Sequence, residues 1–198
     1  MKTKLSSLIA IVLFTFLLSC EKESERIDNY LVVFATAEIS DSNITFRLDD
    51  GKLLKPDNTT SVALKNGTRV ILNYTPLENE LITINRVQTI FMDVVKYEGY
   101  PDKVKTSPIK IVSIWVSGHY LNMSIEVDYH SKSHTTGLFR DVSAEEPTLY
   151  FSYSREDDPA GAPVLNYLSF DLRSLGNEPF TVYVNTYEKM RKFTFKVD

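Results

Sequence analysis

Apolar and polar residues alternate along much of the chain with a period of two, which is the pattern of β-strands with one buried face. The clearest run covers residues 121–129, where every second residue is apolar. We expect the apolar side chains of this run to face a core and the polar ones to face water. The apolar set is Leu121, Met123, Ile125, Val127 and Tyr129, and the polar set is Asn122, Ser124, Glu126 and Asp128.

The first half of the chain combines short apolar runs with strong turn signals. Asp50-Gly51 and Asn66-Gly67 are dipeptides typical of β-hairpins. Residues 81–95 predict one bent strand or two consecutive strands. Further strands are expected at 30–39, 44–48 and 68–75. In the last of these, Val70, Leu72 and Tyr74 share one face and Arg69, Ile71 and Asn73 share the other.

Breaker residues separate this half from a second group of strands. Residues 98–108 contain two prolines and indicate a linker, and the apolar run 109–116 predicts a strand buried on both faces or central in a sandwich. Residues 155–163 predict an exposed loop. The remaining strands are expected at 137–140, 149–153, 167–172, 180–187 and 193–197. Six or seven strands are enough for a sandwich.

Composition agrees with an all-β class and excludes one kind of partner. Tyr and Phe number 11 each against 7 Gly, which favours strands. The formal net charge is −4, from 22 basic and 26 acidic residues. Loss of Lys2 and Lys4 with a cleaved N-terminus would leave 20 against 26, or −6. Such an acidic chain lacks the basic patch that nucleic acid requires, so no nucleic-acid partner is expected.

The N-terminus has the features of an export signal. Lys2 and Lys4 precede an apolar stretch at 8–18 that is too short for a stable membrane span. Leu17-Leu18-Ser19-Cys20 resembles the lipobox of bacterial lipoproteins, and Cys20 is the only cysteine of the chain. Residues 1–19 are therefore interpreted as a lipoprotein signal peptide and Cys20 as the lipid attachment site. An uncleaved anchor and an ordinary secretory signal are the alternatives.

Residues 20–29 are polar and are expected to form a tether between the lipid and the folded part. Their acidic run at 21–25 loosely resembles the signal that directs some lipoproteins to the outer face of the outer membrane. A merely solvated spacer is the other interpretation. We therefore expect a lipid-anchored protein of the bacterial outer membrane, on the cell surface or the periplasmic face.

No residue cluster points to catalysis, a metal or a cofactor. His130 and His134 have i, i+4 spacing, but strand and loop surroundings and the lack of a third ligand favour surface histidines over zinc. Asp49-Asp50, Glu145-Glu146 and Asp157-Asp158 are carboxylate pairs whose sequence neighbours point to opposite faces of a strand, which argues against a shared site. Ser117-Gly118-His119 lacks the context of a hydrolase nucleophile. Catalytic and metal residues are thus predicted to be none, and no cofactor is expected.

Aromatic side chains could belong either to a core or to a ligand-binding surface. Rings at alternating strand positions usually belong to a core, yet open barrels also bind oligosaccharides by stacking. The rings considered are Tyr74, Phe91, Trp115, Tyr120, Tyr150 and Tyr153. The sequence identifies no ligand-binding residue among them.

Several segments together resemble the NigD-like lipoproteins. In the first half they are Phe46-Arg47-Leu48-Asp49-Asp50-Gly51, Leu64-Lys65-Asn66-Gly67-Thr68-Arg69-Val70 and Asn73-Tyr74, with Leu54 and Pro56 between them. In the second half they are Ile114-Trp115, Gly118, Tyr120-Leu121-Asn122-Met123, Ser169-Phe170-Asp171-Leu172 and the terminal hairpin with Lys192 and Phe193. Ser117 and His119 depart from the glycine-rich turn expected in the family.

This resemblance implies a small OB-like barrel at 30–97, the linker at 98–108 and a β-sandwich at 109–198. It also implies a non-enzymatic binding or accessory lipoprotein, by analogy a bacteriocin immunity protein that uses exposed loops such as 155–163 to hold a toxin. A surface glycan-binding accessory is the alternative, and a hydrolase without a visible motif comes last. The expected partners are the membrane, through the lipid, and a protein or glycan.

Overall fold

A computed structural model describes residues 29–41 and 43–197. The predicted signal peptide at 1–19, Cys20 and nearly all of the predicted tether lie outside the described residues, as does the acidic run at 21–25. Within the described part, 13 strands account for almost all regular structure. None of the helices there is long and apolar enough to cross a membrane.

The first five strands form a closed barrel. They are β1 (Leu31–Ser40), β2 (Asn43–Leu48), β3 (Leu53–Pro56), β4 (Arg69–Pro76) and β5 (Leu81–Thr89). The order around the barrel is β1-β2-β3-β5-β4, and β4 returns to β1. Closure joins the five strands into one ring, although the pairing of β1 with β2 begins only at Ala35, and it confirms the expectation of a small OB-like barrel.

Alternation along β1 and β4 decides which side chains fill the barrel. Val70, Leu72 and Tyr74 point inward and are buried, as their spacing predicts, and Ala35 and Ala37 of β1 lie beside them. Asp50-Gly51 closes the β2–β3 hairpin. The hairpin expected at Asn66-Gly67 is absent, because β4 pairs with β1 and β5 and not with the segment before it.

The other eight strands form one sheet that folds over itself around a second core. They are β6 (Phe91–Lys96), β7 (Lys110–Ser117), β8 (Tyr120–Tyr129), β9 (Thr135–Asp141), β10 (Thr148–Ser154), β11 (Ala162–Asp171), β12 (Phe180–Asn185) and β13 (Met190–Phe195). Their order is β13-β12-β10-β9-β6-β11-β8-β7. The core includes Leu121, Phe170 and Phe180, all buried. This half is the expected sandwich.

Strand β6 belongs to the second sheet and not to the barrel. It pairs in parallel with β11 on one side and with β9 on the other. The predicted run at 81–95 is therefore two strands in two different sheets, and the change from barrel to sandwich falls at Ile90. Residues 98–108 lie within the second half instead of between the halves. Proline and glycine there mark a loop, and loop composition alone does not distinguish the two situations.

Strand β7 departs from the expectation of a central or doubly buried strand. It is the last strand of the sheet, and its register shifts between Ile111 and Ser113. Val112, at this bulge, is exposed. Bulges are a common way to blunt an edge strand against unwanted pairing. Ile111, Ile114 and Val116 of β7 pack against the sandwich core. Near Trp115 the strand also contacts the barrel, through Phe34.

Candidate functional site

The barrel packs its outer face onto a face of the sandwich that sequence periodicity assigned to water. Asn122 and Ser124 of β8 are buried, at 0% and 5% exposure. Opposite them lie outward-facing barrel residues, of which Arg69 is 1% exposed. The prediction of a wet face for β8 is therefore wrong over its first half and holds only toward Glu126 and Asp128, which are partly exposed.

Arg69 is the centre of this contact. Its guanidinium donates to both carboxylate oxygens of Asp49, at 2.5 and 2.7 Å. From the sandwich, Ser169 Oγ accepts from Nε at 3.2 Å and Asn122 Oδ1 accepts from the second terminal nitrogen at 3.3 Å. Ser169 also donates to Asn122 at 2.5 Å. A bidentate pair with its remaining donors satisfied is the geometry in which a buried charge is tolerated.

Aromatic rings surround this ion pair. The Arg69 guanidinium carbon lies 4.0 Å from the centroid of Tyr120, a cation–π contact. Phe34, from β1, lies 5.2 Å from Trp115 and 6.1 Å from Tyr167, measured between ring centroids. The two domains thus meet at a buried ion pair, with aromatic rings of both domains around it. These contacts fix the orientation of one domain relative to the other.

The β7–β8 turn presses directly against the β2–β3 turn. Gly118 has φ +54°, and a Cβ atom at this position would lie 2.4 Å from the carbonyl oxygen of Asp49. Only glycine fits such an approach without displacing the barrel turn. The close backbone contact at Gly118 is therefore to the barrel of the same chain.

Two grooves flank this pair of turns, and Asp49 and Asp50 line both of them. The polar groove has a volume of about 640 Å³, and the aromatic groove has a volume of about 450 Å³. The polar groove includes Glu38, Arg47, His119, Tyr120 and Arg173. The aromatic groove includes Val32, Phe34, Ile71, Trp115, Ser117 and Tyr167. Both are therefore bordered by side chains from the two domains.

Charges in the polar groove neutralise one another. Arg47 donates to Glu38 at 2.5 and 2.8 Å, and Arg173 pairs with Asp171. The hydrogen bond from Arg47 lowers the pKa of Glu38, and that from Arg173 lowers the pKa of Asp171 against the opposing effect of burial. Among the carboxylates that line this groove, Glu38 and Asp49 are thus paired, and Asp50 has no ion-pair partner in the part of the chain that the structure describes.

Comparison with known families covers nearly the whole chain. Residues 18–90 match the NigD-like N-terminal OB domain, and residues 93–197 match the NigD-like C-terminal beta sandwich domain. The chain belongs to the NigD-like family. A search of curated protein sequences found no match.

Solved structures share this two-domain NigD-like fold. A protein from Parabacteroides distasonis described as toxin-related is 25% identical, with a TM-score of 0.75 over 85% of this chain and 93% of that one. A Bacteroides vulgatus protein of unknown function is 19% identical, with a TM-score of 0.73 over 86% and 92%. A NigD-like immunity protein from Bacteroides caccae is 20% identical, with a TM-score of 0.66 over 85% and 97%.

The two histidines considered for zinc have separate environments in this NigD-like chain. His130 is exposed, whereas the side chain of His134 is 9% exposed and bonds to Asp158 at 3.0 Å through Nε2. Its Nδ1 lies 2.6 Å from the hydroxyl of Tyr153. The expectation of two surface histidines is thus wrong for His134. No group of three or more potential ligands for a metal occurs in residues 29–41 and 43–197.

Asp158 holds the β8–β9 loop in place. Its carboxylate accepts from the backbone N–H groups of His130, Ser131 and Lys132 at 2.9–3.0 Å. Burial disfavours its charge, yet these bonds and the one from His134 prevail and hold its pKa well below the usual value. Burial raises the pKa of Tyr153 to about 12. The predicted loop at 155–163 is therefore shorter than expected, because β11 begins at Ala162, and it is mostly exposed apart from buried Asp158 and half-buried Arg155 and Gly161.

The remaining candidates do not converge on one site. Asp157 is exposed and pairs with Lys132, so the adjacent carboxylates Asp157 and Asp158 serve different contacts. Tyr74 fills the barrel core. Tyr150 is stacked between Tyr100 and Tyr183, at centroid distances of 4.6 and 5.1 Å. Rings that stack on one another in this way do not offer both faces to a ligand.

Proposed function

We propose that this NigD-like protein is a lipid-anchored, non-enzymatic binding protein of the bacterial outer membrane, of the immunity type. The observation that carries the proposal is the pair of grooves at the domain junction. Both are bordered by two domains that a buried ion pair and a close turn contact fix against each other. A preformed recognition surface binds a partner without the entropy cost of ordering it first.

A binding role suits the chemistry of the grooves better than catalysis. Asp49 is already paired with Arg69, and the Glu38 carboxylate is paired with Arg47. Catalytic acids and bases instead need a proton that is exchangeable in the site. The relay from Asp158 through His134 ends on Tyr153, whose pKa of about 12 opposes formation of a nucleophilic phenolate. These features favour recognition of a partner over conversion of a substrate.

Anchoring through Cys20 is part of the proposal. The NigD-like OB domain match begins at residue 18, so it includes this cysteine. A Bacteroides fragilis protein of the same fold is described as a lipoprotein, at 14% identity. Another relative is called an immunity protein. These descriptions support an accessory protein held at a membrane, where it would meet a toxin before the toxin reaches the bilayer.

Cells carrying the wild-type gene, a deletion, or Cys20→Ala test both parts of this proposal. Protease added to intact cells should remove the wild-type protein if it is displayed outside, and Cys20→Ala should leave the membrane fraction. Deletion cells should survive less well in culture supernatants of strains that secrete antibacterial proteins, and only the wild-type gene should restore survival. Equal survival of all strains would refute the immunity role, and a soluble wild-type pool would refute the anchor.

Glycan binding is the second candidate, because rings and carboxylates occur together in the aromatic groove. Phe34, Trp115 and Tyr167 lie beside Asp50 there. Sugars stack on rings and donate hydroxyl hydrogen bonds to carboxylates. A panel of bacterial and host oligosaccharides titrated against Trp115 emission would test this candidate. Saturable changes with one sugar class would support it, and a uniform lack of response would reject it.

A further inference from the structure

We propose that the aromatic groove binds an extended peptide segment carrying lysine or arginine, supplied by a protein partner. This inference deepens the proposed binding function and rests on it. Three features of the groove support it, namely an unpaired strand edge, the arrangement of its rings and the sign of its charge.

The first feature is the edge of β1 beside the groove. Strand β1 pairs with β4 over Leu31–Thr36, but its pairing with β2 covers only Ala35–Ser40. Among the described strands, none pairs with the β2 side of residues 31–34. Val32 and Phe34 line the groove, and Leu48, the last residue of β2, lines it as well. The groove thus begins where β2 stops, and an extended segment there could bond to the free backbone groups of β1.

The second feature is the ring cluster across the groove. Phe34, Trp115 and Tyr167 lie with centroids 5.2 and 6.1 Å apart and inclined at 57° and 80°. Inclined rings present both edges and faces, and ring faces attract cations. Trp115 is the best such acceptor by residue type, and it is only partly buried. Apolar stems of lysine or arginine would also pack on these rings.

The third feature is charge. The ionisable groups lining the groove are Asp49, Asp50 and Tyr167, with no lysine, arginine or histidine among the lining residues. Asp49 is neutralised by Arg69, whereas exposed Asp50 has no ion-pair partner among the residues that the structure describes. The groove therefore carries an uncompensated negative charge on a chain that is acidic overall. Complementary charge favours a cationic segment over an acidic one.

Fluorescence of Trp115 reports on the groove directly, because it is the only tryptophan of the chain. The full chain carrying Cys20→Ala, produced without lipid, would be titrated with two short blocked peptides. Their apolar residues are identical, but one carries arginines where the other carries glutamates. The arginine peptide should change Trp115 emission saturably, and the glutamate peptide should not. N-methylation of alternate amides in the arginine peptide should weaken its binding by removing backbone donors.

Asp50→Asn provides the matched variant, since the amide keeps the size of the side chain and can still accept the bond from the Lys52 backbone at 2.9 Å. It should weaken binding of the arginine peptide up to about fivefold, as expected for one exposed charge contact. Asp102→Asn, an exposed change outside the groove, should leave affinity unchanged. Circular dichroism spectra that match the wild type would show that neither change disturbs the fold.

Several outcomes would overturn the inference. Equal binding of the two peptides would show that charge does not select the ligand. Binding that is insensitive to N-methylation would show that the peptide does not pair with the edge of β1. An emission change with sugars but not peptides would favour a glycan. Concentration-dependent emission without ligand would indicate a second copy in the groove. Emission altered by deleting residues 21–28 would indicate the tether as its occupant.

The cell assay separates failure of this inference from failure of the proposed function. If deletion cells lose protection but Asp50→Asn cells keep full protection and peptides do not bind, the function stands and the groove assignment falls. If the deletion has no effect, the proposed function falls. If Asp50→Asn lowers protection together with peptide affinity, both are supported.

Discussion

Asp49 and Asp158 are buried carboxylates that stabilise the chain in different ways. Asp49 faces another side-chain charge, Arg69, which also bonds to residues of the second domain. Asp158 faces three backbone N–H groups of a loop in its own domain, together with His134. The first arrangement links two domains, whereas the second fixes one loop. Replacing Asp49 or Arg69 should therefore destabilise both domains. Replacing Asp158 should loosen only the loop that it holds.

The largest effect is expected from Arg69→Met. This change leaves the Asp49 carboxylate without its cation and removes the bonds that the guanidinium donates to Ser169 and Asn122, so the free energy of unfolding should fall by about 3–5 kcal/mol. Urea denaturation would measure the loss. The matched control is Arg47→Met, which breaks the exposed pair with Glu38 and should change stability very little. Equal losses in the two variants would show that burial of the Arg69 pair has no special role.

A smaller loss is expected from Gly118→Ala, which tests the turn contact beside the same ion pair. The new Cβ would meet the Asp49 carbonyl oxygen at 2.4 Å on a backbone with positive φ, so we expect a cost of roughly 2–4 kcal/mol. Gly51→Ala is the control, since Gly51 also has positive φ but no atom within 4 Å of the added Cβ. It should cost about 1 kcal/mol from backbone strain alone. Thermal unfolding that gives identical values for both would contradict the close contact.

Asp158→Asn should loosen a loop without separating the domains. The neutral amide is a weaker acceptor for the N–H groups of Ser131 and Lys132, so we expect these amides to exchange with deuterium roughly tenfold faster. Amides at the domain junction should keep their protection. Asp157→Asn, next to it, breaks only the exposed ion pair with the Lys132 side chain and should change exchange in the loop very little. Faster exchange throughout the chain in Asp158→Asn would indicate that this carboxylate also has a global role.

The smallest expected effect is a change with pH in how much Asp158 contributes to stability. Folding lowers the pKa of Asp158, so its ionised form stabilises the protein above the unfolded carboxyl value of about 3.9. This contribution is lost as the pH falls from there toward the folded pKa. The urea midpoints of wild type and Asp158→Asn should therefore differ most near pH 6 and converge below about pH 4. A difference that stays constant as the pH falls below about 4 would contradict the lowered pKa.

Period-two alternation was sufficient to assign the inward residues of β4 and those of β8 as far as Val127, because a strand in a barrel or a sandwich has one face toward a core. It was wrong for Tyr129, the last residue of β8, which is 43% exposed. It could not assign the environment of the other face. Asn122 and Arg69 look like surface residues in the sequence, and both are buried because one domain covers the other. Phe34 and Ile71 are apolar and lie on the same outer barrel face as Arg69. Apolar residues at outward positions could have indicated that the second domain covers this face.

The remaining differences come from contacts between distant parts of the chain. His134 depends on Asp158, 24 residues away, and no local pattern indicates that pairing. Strand β6 follows β5 after a single residue, yet its hydrogen-bonding partners are β9 and β11, whose positions only the completed sheet determines. The grooves likewise exist only where two separately predictable domains meet. Fold class and domain types were therefore accessible from the sequence, and the candidate site was not.

Strand β6 also limits where this protein can be divided or exchanged with a relative. It occupies the middle of the eight-stranded sheet, so a fragment starting at residue 98 would lack that strand and expose the edges of β9 and β11 to self-association. A cut at Ile90 would instead keep every strand with its own sheet. Recombination between family members that preserves folding is accordingly expected at this single residue, and a chimera joined there would inherit its recognition grooves from both parents.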